Sequence, residues 1–214
     1  DEFGVLRVGA TITLGNFLLP ELAARFQQRH PHLQLRAVVS NGAQLSQHLL
    51  ENTIDLALIE GSILLPQLVS EPFSGDHLQL ILPPGHPLSE RKSLRLEELA
   101  EEPFLLRERG SAGREFLDHV FAAHQLPLTP LWESASTQAI IKAVGAGLGV
   151  SFLPEKLVSQ AIAEGSVRTV PIENEPFART HHIVYHRHKF LTQSAREFIA
   201  LCHEMAASAN AMEP

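Results

Sequence analysis

Hydrophobic positions along this chain switch repeatedly between two periods, and the switches mark out its elements. Val5-Leu6-Arg7-Val8-Gly9-Ala10 reads as a strand, and Leu18, Leu19, Leu22, Ala23 and Phe26 then recur at the spacing of one helix face. Pro20 suits that helix only near its start, and His30-Pro31 closes it. Leu33 to Ser40 predicts a second strand, Leu45 to Glu51 a second helix, and Asp55-Leu56-Ala57-Leu58-Ile59 a third, buried strand. An order of β-α-β-α-β requires a mostly parallel sheet with right-handed crossovers.

After Glu60-Gly61 the rhythm breaks into Leu68 to Phe73, and then His77-Leu78-Gln79-Leu80-Ile81-Leu82 runs into Pro83-Pro84-Gly85-His86-Pro87. A proline-rich exit of this kind suits a crossing between lobes. A second series follows: strands at 104–107, 131–133, 149–153 and 167–170 alternate with helices at 114–124, 137–147 and 155–164. His182 to Tyr185 is a last strand, and Ala195, Phe198, Ile199, Cys202 and Ala206 share one face of the last helix. Two α/β series joined by two crossings predict an α/β fold of two Rossmann-like lobes. Residues 1–76 plus 180–214 form the first lobe and 77–179 the second.

Composition narrows the function. The 214 residues carry 17 Lys plus Arg against 24 Asp plus Glu, a formal charge of −7, and the arginines are scattered among acidic residues. A surface for nucleic acid needs massed basic residues, so DNA contact by this segment is not expected. Hydrophobic residues at 44% are enough for a real core. Cys202, the single cysteine, has no internal disulfide partner, which fits a reducing, cytoplasmic setting. No run approaches the roughly 18 apolar residues of a membrane span, and Asp1-Glu2-Phe3-Gly4 lacks the features of a signal peptide. The chain enters a strand almost at once, at Val5, as a domain cut from a longer protein would.

In open parallel sheets, ligands bind beyond the carboxyl ends of strands, near helix N-termini whose free N–H groups favour anions. Three strand exits carry suitable residues: Thr11-Ile12-Thr13, Ser40-Asn41-Gly42, and Ser136-Thr137. Helix capping alone explains each one singly; their recurrence is what suggests a shared cleft. A fourth segment, Arg107-Glu108-Arg109-Gly110-Ser111-Ala112-Gly113-Arg114, also opens a helix. Its glycines allow close backbone approach, Ser111 offers a hydroxyl and an arginine a planar bidentate donor, although a solvated turn with a charge pair reads equally well. It is not a P-loop, since no Gly-Lys-Ser/Thr ends it.

Other chemistry is weaker. On a strand, His182, His186 and His188 would share a face with His181 on the other, an arrangement that suits edge histidines better than a metal site. Cys202 reads as a core residue. The Gly-x-Ser-x-Gly of a serine hydrolase is absent, and Gly145-x-Gly147-x-Gly149 reads as a helix C-cap and turn rather than a dinucleotide fingerprint. No catalytic constellation, metal or cofactor is expected.

Leu6 to Ala10 through Leu19-Pro20-Glu21-Leu22 and Phe26-x3-His30-Pro31 open a series of short landmarks. Asp55 to Ile59, Pro83-x2-His86-Pro87-Leu88 and Ala143-Val144-x-Ala146-Gly147-Leu148-Gly149-Val150-x2-Leu153-Pro154 continue it. Their order and spacing, over nearly the whole chain, resemble the effector-binding domain of LysR-type bacterial transcription regulators. Glu108-Arg109-Gly110-Ser111 with Arg114 resembles the Glu-x-Gly-Ser-Gly-Thr-Arg run of a branch acting in sulfur or carbon-fixation metabolism, with Ala112-Gly113 in place of Gly-Thr.

The resemblance implies a fold like type 2 periplasmic binding proteins and no enzymatic activity. It implies a small effector, an inorganic oxyanion or small carboxylate, bound between the lobes by Thr11, Ile12, Thr13, Ser40, Asn41, Gly42, Arg107, Glu108, Ser111, Ala112, Ser136 and Thr137. It also implies a winged helix-turn-helix upstream of this chain that alone contacts DNA. Self-association into dimers and tetramers follows, with the apolar helices Asn16 to His30 and Thr192 to Ala207 as candidate pairing surfaces. The rival reading is a free-standing solute-binding protein of a transporter, which would share the fold.

Overall fold

The structure, a computed structural model, describes residues 4–61 and 63–210. Residues 1–3 and 211–214 and Ser62, which the first lobe expected from sequence includes, lie outside the described residues. The chain divides into two compact units, one made of the segment up to Gly75 together with Thr180 onward, the other of Asp76–Arg179.

In the first unit, β1 (Gly4–Ala10), α1 (Ile12–Phe17), α2 (Leu19–Arg29), β2 (Leu33–Val39), α3 (Gly42–Leu50) and β3 (Leu56–Glu60) follow in order. β1 pairs in parallel with β2 on one side and β3 on the other. The expected single helix after β1 is two, α1 and α2, with Pro20 in the first turn of the second, where its missing N–H costs nothing. The sheet is mixed rather than mostly parallel, because the returning strand β9 (Ala178–His186) enters antiparallel to β3.

Both sheet faces are covered. Leu6, Val8, Leu56 and Leu58 pack against Leu22 and Phe26 of α2 and against Phe198 and Cys202 of the last helix, α7 (Gln193–Asn210). Leu45 and Leu49 of α3 cover Ala57 and Ile59 on the opposite face. Gly9 leaves room for that layer: a Cβ would stand 2.7 Å from Ile54 Cδ1 and 2.8 Å from Leu45 Cδ2, so both side chains would have to shift. Asp55 fixes the register of β1 and β3, accepting from the Arg7 amide and guanidinium at 2.8 Å and from Lys189 Nζ at 2.7 Å. Burial pushes its carboxyl pKa up, but the bonds from Arg7 and Lys189 outweigh that and hold it below the usual carboxylate range.

β4 (Leu68–Leu82) is one strand of 15 residues that takes in both Leu68 to Phe73, where the sequence rhythm breaks, and the strand run His77 to Leu82. Among the described residues only β9 flanks the stretch that contains Pro72, β7 (Ser151–Pro154) and β8 (Arg168–Thr169) joining from Leu78 onward, and an edge strand tolerates a residue without an N–H. Pro83-Pro84 lies within the second unit, and the chain passes from one unit to the other earlier, at Gly75–Asp76 in mid-strand.

The second unit contains β5 (Phe104–Arg107), α4 (Ala112–Ala123), β6 (Pro130–Ser134), α5 (Thr137–Gly145), β7, α6 (Glu155–Ala163) and β8. β5 and β6 are parallel, whereas β7 and β8 run antiparallel to β4. Phe104, Phe152 and Phe177 stack through its larger core, with Phe121 edge-on to Phe104 and Phe152. The glycine series around Leu148 does the expected work of a C-cap and turn: Gly147 takes φ +83°, and a Cβ on Gly149 would lie 2.2 Å from Pro103 O. Where both crossings enter this unit, Arg179 donates to both oxygens of Asp76 at 2.9 and 2.5 Å, and both side chains are buried.

Candidate ligand-binding site

In the first unit, two of the three sequence-derived segments are neighbours. Ala10 is opposite Val39 across β1 and β2, and the Ser40 amide donates to Ala10 O at 3.0 Å, so the loops at 11–13 and 40–42 leave adjacent strand ends together. Thr11 and Thr13 are buried and Ile12 half-buried. Thr11 is the N-cap residue of α1 but does not cap it: both its amide and its hydroxyl donate to Leu58 O, at 3.0 and 3.4 Å. The Thr11 hydroxyl proton is thus directed into the fold, and only its lone pairs are left for a ligand. Asn41 caps α3, accepting from the Gln44 amide at 2.9 Å, Gly42 opens the helix, and Ser40 Oγ bonds Gln44 Oε1.

In the second unit, β5 and β6 end side by side, with Arg107 opposite Ser134. Ser111 caps α4 through the Arg114 amide, and Ser136 caps α5 through the Ala139 amide, each at 3.2 Å; Ala112 is the first residue of α4. Arg107 is 9% exposed and joins these parts: its Nη1 donates to Thr137 Oγ1 at 3.4 Å, while Nε and Nη2 meet the two oxygens of Glu108 at 2.9 and 3.1 Å. Arg107, Glu108, Ser111, Ala112, Ser136 and Thr137 are therefore one cluster. The open arginine fork expected from sequence is not present, because Glu108 occupies it in the paired geometry that a ligand carboxylate would take.

Arg114 is also committed. Only 2% exposed, it bonds Asp118 at 3.0 Å, Glu133 at 2.9 Å and the Arg107 carbonyl at 3.2 Å. Burial lowers its proton affinity, but the bonds to Asp118 and Glu133 more than compensate, and its pKa stands above the ordinary value. Through Nε and Nη1 it pins the β5 end to α4 and β6.

Elsewhere, the structure answers the remaining sequence questions. Cys202 is wholly buried, and burial pushes its thiol up to about 12, so it is an inert core residue. His181 bonds Ser74 Oγ at 2.8 Å, and among the described residues no group of three or more His, Cys, Asp or Glu is placed to hold a metal. Two features had no distinguishing signal in the sequence. Glu60, at the end of β3, is a buried carboxylate, and a crevice of about 410 Å³ in the second unit is lined by His77, Gln79, Glu155, Thr169 and the stacked Phe152–Phe177 pair.

The apolar faces of the two helices proposed for self-association are spent inside the first unit, where Phe26 meets Phe198 edge-to-face at 5.4 Å. As pairing surfaces those faces are excluded. The large apolar side chains this unit leaves exposed near the β1–β2 rim are Phe17, Val38 and Val39.

Two α/β units with capped helices at parallel strand ends define a ligand-binding protein of the bilobal kind. The chain belongs to the LysR substrate binding domain family, which matches residues 1–207. It is therefore the effector-binding domain of a LysR-type transcription regulator. It is 32% identical to the uncharacterized HTH-type transcriptional regulator YeiE of Escherichia coli K12, over 94% of this chain and 69% of that protein. It is 33% identical to the RuBisCO operon transcriptional regulator of Allochromatium vinosum, over 92% of this chain and 66% of that one. The regulatory domain of Synechocystis PCC6803 CcmR, solved in complex with 2-PG, superimposes with a TM-score of 0.87 at 25% identity, covering 95% of this chain and 97% of that one. These relatives are regulators and give no support to the transporter reading. Among the described residues no helix is long and apolar enough to cross a membrane.

Proposed function

We propose that this domain senses a small acid, an inorganic oxyanion or a compact carboxylate or phosphate ester, through Thr11–Thr13 and Ser40–Gly42 of the first unit and Arg107–Ala112 with Ser136–Thr137 of the second. The observation that carries this is the Arg107 cluster: a buried guanidinium and two capped helix N-termini at one pair of strand ends, already holding a carboxylate in Glu108. The 2-PG complex of CcmR supports an acidic ligand.

In the complete regulator, a winged helix-turn-helix upstream of this chain reads DNA in the cytoplasm. Effector binding favours one arrangement of a dimer or tetramer and so changes the spacing of the DNA-reading heads. The domain performs no chemistry on its ligand, which is released unchanged.

A thermal-shift screen with sulfate, sulfite, thiosulfate, phosphate, O-acetylserine, 2-phosphoglycolate and simple carboxylates tests this. At a hundredfold excess over Kd, a ligand of the native state adds about 2.7 kcal/mol, or roughly 5–10 °C for a chain of this size. Replacing Thr13 and Ser136 together by alanine should remove most of that shift with the fold intact. A full set without any shift overturns the reading.

A further inference from the structure

Glu60, at the end of β3, is a buried carboxylate whose chemistry the fold leaves unfinished. It is 4% exposed, and its Oε1 has no hydrogen-bond partner among the described residues. Charged carboxylates are rarely buried unless paired, and a buried acceptor without a donor weighs against folding. Across the β3–β9 ladder Glu60 is opposite His181, which is also buried and bonds Ser74 Oγ at 2.8 Å, and Glu60 Oε1 still has no hydrogen-bond donor among the described residues.

Its position gives the reason. β3 side chains alternate between faces, so Glu60 follows Leu56 and Leu58 on the side where α1 packs through Leu14. Leu58 is opposite Ala10 in the register of β1 and β3, and its carbonyl receives both the amide and the hydroxyl of Thr11. Glu60, two residues on, therefore stands at the carboxyl end of the central strand, level with the Thr11–Thr13 segment. A buried acceptor kept at a strand exit is suited to a donor that arrives with the ligand.

Resting on the small-acid reading above, we infer that Glu60 accepts a hydrogen bond from a hydroxyl or ammonium group of the effector. The domain then selects a hydroxy or amino acid over the bare acid or oxyanion of the same size. A site built to satisfy a polar group rejects analogues lacking it far more strongly than a hydrophobic pocket rejects a missing methylene.

Calorimetric titration of the 214-residue chain with matched acids reads this directly: glycerate and serine against propionate, and 3-phosphoglycerate against 2-phosphoglycolate and sulfate. Donor-bearing acids should bind at least tenfold tighter than their counterparts. Glu60→Leu should erase that preference and raise the melting temperature of the ligand-free chain, since it removes a buried carboxylate oxygen that has no donor among the described residues. Glu60→Gln, which keeps the shape, should weaken the amino acids more than the hydroxy acids. Binding that ignores the donor, or a Glu60→Leu chain that melts higher with its preference intact, overturns the inference while leaving acid sensing in place. If no acid of either set binds, both readings fall.

Discussion

At the scale of single residues, the second unit's rim is a neutral pair rather than an open positive site. Glu108 satisfies two of the Arg107 nitrogens, so an incoming anion has to compete with a carboxylate that is covalently present at high effective concentration. Glu108→Gln keeps the shape and removes the charge. Its affinity for sulfate, measured by calorimetry, should rise about tenfold, or ~1.4 kcal/mol; unchanged affinity would mean that Arg107 does not face the ligand. The capping residues Asn41, Ser111 and Ser136 were legible in the sequence because small polar residues before an apolar periodic run have few other reasons to be there. How Arg107 and Thr11 spend their donors was not, because both choices depend on neighbours distant in sequence, Thr137 and Leu58, or on a turn of the chain after a strand. Glu60 continues an apolar run into a turn, which in sequence is indistinguishable from a strand reaching solvent.

At the scale of elements, the sequence located nearly every strand and helix, since the apolar periods of α2, α4, α5 and β1 are clean. It failed where long-range pairing decides. Pro72 and Ser74-Gly75 punctuate β4 locally, yet pairing with β9 carries the strand through them. The antiparallel entry of β9 also has no local signal. The most constrained junction is at Gly149, where the chain passes so close to Pro103 that the Val150 amide bonds Pro103 O at 2.9 Å and the Leu105 amide bonds Val150 O at 2.9 Å. Gly149→Ala would force β5 and β7 apart. It should destabilise by about 3 kcal/mol or more in urea denaturation, beyond the usual range for a surface change, whereas Gly147→Ala should cost about 1 kcal/mol for its positive φ alone. Equal effects at the two positions would contradict the close approach.

At the scale of the whole molecule, each unit has its own apolar core, and two strands, β4 and β9, carry the chain across. Stability should then be lost unit by unit. Phe198→Ala, which opens a cavity between α2 and α7, should cost about 3–5 kcal/mol in the first unit and raise hydrogen exchange in β1, α2 and α7. Amides of residues 76–179 should keep their protection. Equal loss throughout the chain would show a single cooperative structure.

The split of the first unit into two distant stretches also sets a timetable for biosynthesis. A ribosome delivers β1, α2, β2 and β3 early, but α7, which completes the cover over Leu6, Val8 and Leu58, follows every other element described. The contiguous segment 76–179 has everything it needs before that helix exists. At roughly 5–20 residues per second, the nascent β1–β3 sheet waits on the order of ten seconds with α2, but not yet α7, on this apolar face. A holding chaperone would bind this protein during that interval, and would release it when α7 clears the exit tunnel.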